Sequence, residues 1–218
     1  MRNYANHTKI IFGGTVVFAL ILSVLAHFQS RFPGDLQVTL AFQSIHSLAF
    51  LDVMKGISYL VGEWRAPVVV IIIGIIVWWS LGRLEGGMLV LSGFIATFDE
   101  AFKMAIDRPR PTADLVNVLA VESGKSFPSG HAFFAVVVLG FWGYLILTRQ
   151  RRRYLNVLTA SVFLILILCI GFSRIYLGAH WASDVVGGYV VGSPFLALEI
   201  WLYHRLKLRF GKRVPQPR

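Results

Sequence analysis

Two histidines, one acid and three cations stand out in this sequence, each where a mostly apolar chain turns briefly polar. His131 closes the run "FPSGH", and His180 and Asp184 lie in "SRIYLGAHWASD". Asp184 follows His180 by one helical turn, so its carboxylate can accept a hydrogen bond from one ring nitrogen. That bond fixes the tautomer and leaves the other nitrogen as a nucleophile. Lys103, Arg110 and Arg174 bring three positive charges and several N–H donors, and Ser129 brings a hydroxyl. Gly130 and His131 add the backbone N–H groups and positive dipole of a helix start. Such a set suits a tetrahedral oxyanion with multiple negative charge, and phosphate is the obvious candidate. His180 then attacks phosphorus, while His131 donates a proton to the leaving oxygen and later takes one from water. The intermediate is a phosphohistidine. No carboxylate cluster with Mg²⁺ spacing and no Cys/His cage is visible, so the reading includes no metal and no cofactor, and the cations supply the electrostatics.

Singly, these residues have plainer explanations. Ser129 suits a helix N-cap, Lys103 can snorkel at a helix end, and His180 with Asp184 can be an ordinary i, i+4 polar pair. Together they gather on one face of one membrane, where charge is expensive and persists mainly for function.

The elements that position them are apolar. Hydrophobic residues make up 56% of the 218, and charged residues only 15%, clustered rather than spread. That balance is too apolar for a soluble domain and describes a polytopic membrane protein of one domain. Six runs are long enough, or nearly so, to span: 10–28, 64–84, 86–102, 131–147, 154–172 and 185–203. Asp99 and Glu100 interrupt the third. The first follows Arg2 and Lys9 and is too long for a signal peptide, so it reads as a retained anchor helix. Between the first two spans, Phe42, Ile45, Ala49, Val53 and Leu60 fall on one helical face, with Ser44, Ser47, Lys55 and Ser58 opposite. Residues 38–61 therefore read as an amphipathic helix in the membrane interface. The fold class is all-α integral membrane, a six-transmembrane-helix bundle with that interfacial helix, over residues 1–218. The motifs occupy 103–184, and a basic tail runs from about 204 to 218. Cys169, the lone cysteine, lies in an apolar run and reads as packing.

Six spans put both termini on one side. With the termini cytoplasmic, the cytoplasmic segments hold 13 of the 21 Lys and Arg, including "TRQRRR" and the basic tail. The excess sets the orientation and puts the motif loops on the extracytoplasmic face of the cell membrane. The net charge of +10 sits at span ends, where it meets anionic lipid headgroups rather than nucleic acid.

The spacing of these residues resembles the type 2 phosphatidic acid phosphatase family of integral-membrane lipid phosphate phosphatases, with its bacterial phosphatidylglycerophosphatase and undecaprenyl-diphosphatase members. The family pattern is Lys-x6-Arg-Pro, then Pro-Ser-Gly-His, then Ser-Arg-x5-His-x3-Asp. Lys103 precedes Arg110-Pro111 by six residues, Pro128-Ser129-Gly130-His131 matches throughout, and Ser173-Arg174, His180 and Asp184 keep the third spacing. Arg108-Pro109 has the wrong spacing from Lys103 and reads as a decoy. The resemblance implies His180 as nucleophile, Asp184 as its partner and His131 as general acid. It implies that Lys103, Arg110, Ser129, Gly130 and Arg174 hold the phosphoryl group without metal. The implied substrates are undecaprenyl diphosphate, phosphatidylglycerol phosphate or phosphatidic acid, and the outward site favours the first. Vanadium-dependent haloperoxidases share the motif set but are soluble, which the six spans argue against. A lipid phosphotransferase using the same intermediate is the alternative. An ion-binding transporter is disfavoured, because most of the charges lie at helix ends.

Overall fold

A chain in lipid must satisfy its backbone hydrogen bonds internally, and long runs of Ile, Val, Leu and Phe do so as helices. The computed structural model describes residues 2–62 and 65–210, and all its regular elements are helical. α1 (Arg2–Phe28) leads to two short helices, α2 (Asp35–Gln43) and α3 (Leu48–Leu60). α4 (Arg65–Ser80) and α5 (Arg83–Ala96) pack against each other as a hairpin, and α6 (Asp99–Ile106) follows. After an irregular loop, one helix runs from Gly130 to Leu147. It comprises α7 (Gly130–Phe134), a π-helical turn (Ala135–Leu139) and α8 (Gly140–Leu147). α9 (Arg153–Tyr176) and α10 (Ala182–Phe210) complete the fold. α10 is the hub, touching α1, α2, α5, α7, α8 and α9. It approaches α7 closely at Gly188, where a Cβ would stand 2.6 Å from the Ser129 carbonyl oxygen.

Among the described residues, four helices are long and apolar enough to cross a membrane: Lys9–Phe28, Gly130–Leu147, Arg153–Tyr176 and Ala182–Phe210. A fifth joins them if α3 and α4 count as one bent span. The expected third span, 86–102, is broken at Thr97–Phe98. There Thr97 Oγ1 donates to the Phe94 carbonyl at 2.8 Å, and the backbone tightens to i→i−3 bonds. The expected interfacial helix over 38–61 is two helices. Ser44 Oγ donates to the Ala41 carbonyl at 2.8 Å, and Ser47 caps α3 by accepting the Phe50 N–H at 3.3 Å. Its faces also sort differently: Val53 and Leu60 are exposed while Ser58 is buried. The position of Trp64 and residues 211–218 of the expected tail, with Lys212, Arg213 and Arg218, lie outside the described residues. Residues 204–210 continue α10.

The two ends of the bundle differ in chemistry. At one end, Glu85 accepts from Arg149 Nη2 at 2.7 Å and Tyr203 OH at 2.9 Å, with Lys207 Nζ at 3.4 Å. At the other end lie His131, His180 and the three motif cations. The 18-residue helix Gly130–Leu147 connects them, a rise of about 27 Å at ~1.5 Å per residue.

Candidate active site

The three motifs meet at the starts of α7 and α10, the end of α9 and the loop between α6 and α7. Ser129 stands at the N-cap position of α7, but its side chain makes no capping bond. Its Oγ is buried without a hydrogen-bond partner, while its N–H donates to the Asp184 carbonyl at 2.9 Å. A serine kept only to start a helix would use its hydroxyl on the helix. Gly130 follows because a side chain there would run into Asp99 Oδ2, with Lys103 Nζ only 3.2 Å from the added Cβ.

The cations are engaged but poised. Lys103 Nζ lies 2.8 Å from Asp99 and 2.7 Å from Glu100. Arg174, 1% exposed, pairs with Glu122 and Ser58 Oγ, and its Nε has no partner. Arg110 Nη1 donates to the Ala179 carbonyl at 2.9 Å and to His180 Nε2 at 3.0 Å. Its Nη2 holds the Ser123 carbonyl at 3.0 Å.

The geometry assigns the His180 tautomer. Nδ1 lies 2.8 Å from the Ser126 carbonyl, which can only accept, so Nδ1 carries the proton. Nε2 is then unprotonated, its lone pair accepting the Arg110 N–H. Burial first, and then the charges of Arg110, Arg174 and Lys103, hold this imidazole well below the ordinary histidine range, against the opposing pull of the Ser126 bond. The ring is therefore neutral at neutral pH, as a nucleophile must be. His131 Nε2 lies 3.2 Å from the Ser58 carbonyl and by the same logic carries its ring proton there.

One sequence expectation needs correction. Asp184 does not accept the His180 N–H, since its Oδ2 is 3.8 Å from Nδ1. That oxygen accepts instead from Ser126 Oγ at 2.5 Å and the Trp181 N–H at 2.8 Å. Ser126 thus joins acid to base: its hydroxyl binds Asp184 and its carbonyl binds the ring. Arg108, set aside as a decoy, donates to Asp184 Oδ1 at 2.5 Å and is buried.

Beside these groups opens a cavity of about 540 Å³. Its polar end is lined by Lys103, Arg110, Glu122, Gly130 and His131, and its apolar end by Val70 and Ile71 of α4 and Val90 and Phe94 of α5. Arg110 stands between the cavity and His180.

The pattern of the PAP2 superfamily matches residues 85–208, more than half the chain and all three motifs. The chain belongs to this family. It is 30% identical over 182 residues to phosphatidylglycerophosphatase B of Bacillus subtilis, covering 81% of this chain and 86% of the relative. It is 31% identical over 125 residues to an undecaprenyl-diphosphatase of Sulfolobus acidocaldarius, covering 54% and 56%. The crystal structure of a transmembrane PAP2-type phosphatidylglycerolphosphate phosphatase from Bacillus subtilis superposes with a TM-score of 0.76 at 27% identity, covering 91% of this chain and 98% of that one. This PAP2 protein is a phosphatase of lipid phosphates with an all-helical, multi-pass membrane fold.

Ser58, Arg108, Glu122 and Ser126 of this PAP2 phosphatase were not recognisable as site groups from spacing. Ser58 lies on the face expected to meet water, Glu122 and Ser126 belong to an irregular loop, and Arg108 fails the motif count.

Proposed function

We propose that the protein hydrolyses a lipid phosphate or diphosphate, without a metal, through a phosphohistidine on His180. The observation that carries this reading is the unprotonated Nε2 of a neutral, buried His180, 3.0 Å from Arg110, beside a cavity with an apolar end and a polar end where Lys103 and Arg110 stand among Asp99, Glu100 and Glu122. The substrate's phosphoryl oxygens take the N–H groups of Arg110, Arg174, Lys103 and Gly130 and the Ser129 hydroxyl, replacing the carboxylates and carbonyls that the three cations now hold. The acyl or prenyl chain lies along the face that α4 and α5 present to the cavity.

In the first step Nε2 bonds to phosphorus, the P–O bond to the lipid breaks, and His131, made imidazolium by the proton it takes up when the phosphate anion binds beside it, supplies that proton to the leaving oxygen. The ring becomes positive, and the Asp184 charge behind Ser126 stabilises it. In the second step water attacks phosphorus, His131 takes its proton, and the P–N bond breaks to return neutral His180. Cations preorganised around the equatorial oxygens stabilise charge that a metal supplies elsewhere.

The membrane arrangement supports a lipid substrate. α1, α4, α5 with α6, α7–α8, α9 and α10 make six crossings. α2 and α3 lie at the interface at the motif end, where Gln43 bonds the Tyr176 carbonyl at 3.0 Å and Ser58 meets Arg174. The basic end, with Arg149 and Lys207, faces the cytoplasm by the positive-inside rule, and the site faces outward. An outward site in a cell membrane favours undecaprenyl diphosphate, with phosphatidylglycerol phosphate and phosphatidic acid as further candidates. The names of the relatives support the first two.

The test is phosphate release from a panel of these lipids by the purified protein in detergent, with and without an acceptor lipid alcohol. The account expects free phosphate in both arms. Phosphate appearing only on the acceptor contradicts hydrolysis, and no release from any lipid contradicts the reading altogether.

A further inference from the structure

Behind His180 lies a buried polar chain that extends beyond the three motifs. Arg108 is 1% exposed, and its guanidinium is shared between two carboxylates. Nη1 donates to Asp184 Oδ1 at 2.5 Å and to Ser183 Oγ at 2.8 Å, while Nη2 donates to Asp35 Oδ2 at 3.0 Å. Nε donates to the Gln29 carbonyl at 3.0 Å. Asp35, at the start of α2, is itself buried. It accepts the Phe32 N–H at 2.7 Å, the Ser183 N–H at 2.9 Å and the Ser183 hydroxyl at 2.7 Å. The far oxygen of Asp184 reaches the His180 ring through Ser126.

The charges in this chain are minus, plus, minus. A buried charge is tolerated only when paired, and this chain pairs one cation with two anions. If Arg108 faced Asp184 alone, the two charges would cancel, and little field would remain for the imidazolium that forms during attack. Asp35 draws on the same guanidinium, so the buried cluster keeps one net negative charge, and Asp184 is its member nearest His180. The same contacts tie the first turn of α2 to the first turn of α10, so an element outside the motif region enters the site's geometry.

We infer that Arg108 and Asp35 are positioning residues of the reaction: Arg108 holds Asp184 against Ser126, and Asp35 offsets Arg108 so that the Asp184 charge serves His180. This rests on the proposed attack by His180. Neither residue touches substrate, so the effect belongs to kcat and not to phosphate affinity.

The experiment uses full-length protein in detergent with phosphatidic acid as substrate, vanadate as a phosphate-site probe, and thermal unfolding. Arg108→Lys keeps the cation but cannot bridge two carboxylates, and Asp35→Asn keeps the shape but removes the offsetting charge. Each should lower kcat per vanadate-binding site by about 10–100-fold, the range that outer partners of metal ligands show, with KM and vanadate inhibition unchanged. Asp35→Glu should recover part of the rate lost in Asp35→Asn. If Arg108→Lys fails to fold, the isosteric Asp35→Asn carries the test. Wild-type kcat per binding site in the folded variants overturns the inference, as does a loss confined to vanadate affinity. His180→Ala serves as the control: wild-type turnover there overturns the phosphohistidine reading itself, a result separate from either of these.

Discussion

Replacing Asp184 with asparagine separates two ways in which an acid can serve a catalytic histidine. If the acid holds the ring's tautomer, its loss costs on the order of 10⁴ in kcat. Here the Ser126 carbonyl holds Nδ1–H at 2.8 Å and survives the change. What Asp184→Asn removes is a charge 3.8 Å from the ring. A full unit charge at that distance is worth ~4 kcal/mol at an effective dielectric constant of ~20. With about half that charge developed in the transition state, the loss is ~2 kcal/mol, or roughly 30-fold in kcat. The fold should tolerate the substitution. Asparagine can turn its carbonyl to Arg108 and its amide to Ser126 Oγ, which rotates to accept, leaving the Trp181 N–H and the Ser126 O–H without their acceptor, at a cost of about 1–3 kcal/mol each. Arg108 keeps Asp35 at 3.0 Å. Steady-state phosphate release, vanadate inhibition and thermal unfolding measured together should show a fall of 10- to 100-fold in kcat with vanadate affinity unchanged. A loss near 10⁴ would refute the role given to Ser126. An unchanged kcat would refute any electrostatic role for Asp184.

The neutral, buried His180 makes a prediction for pH. Protonation removes the attacking lone pair, so activity falls as pH drops through the folded-state value. Because burial and the neighbouring cations lower that value, the acidic limb of kcat/KM should lie below 6.5, and a limb at or above 6.5 contradicts the assigned environment. Phosphate release should persist in EDTA; loss that Mg²⁺ restores would mean that the cations do not suffice. In a Cys169→Ser background, a cysteine at Thr112 should react with an impermeant thiol reagent in intact cells and one at Gln150 should not, and the opposite pattern reverses the orientation.

The long helices are legible in the sequence because lipid demands long apolar runs, and 10–28, 131–147, 154–172 and 185–203 each lie within one helix of adequate length. The breaks are less legible. Thr97, Ser44 and Ser47 interrupt helices through local side-chain bonds to the backbone, which compete with the helix without changing hydropathy much. The motif residues are readable by spacing, since His180 and Asp184 sit one turn apart at a helix start. Their mutual geometry is not. Spacing suggests a direct bond between them, while the fold inserts Ser126 from a loop more than fifty positions earlier. Arg108 escapes for a similar reason: its partners, Asp35 and Asp184, are far apart in the chain and meet only when α2 packs on α10.

The central claim is the phosphohistidine on His180. Rapid acid-free quenching of the enzyme with a radiolabelled lipid phosphate, followed by peptide mapping under alkaline conditions, addresses it directly. The account predicts one acid-labile, alkali-stable phosphate on the peptide carrying His180, present in Asp184→Asn and absent in His180→Ala. Label on the peptide carrying His131 instead, or turnover in His180→Ala at the wild-type rate, would contradict it.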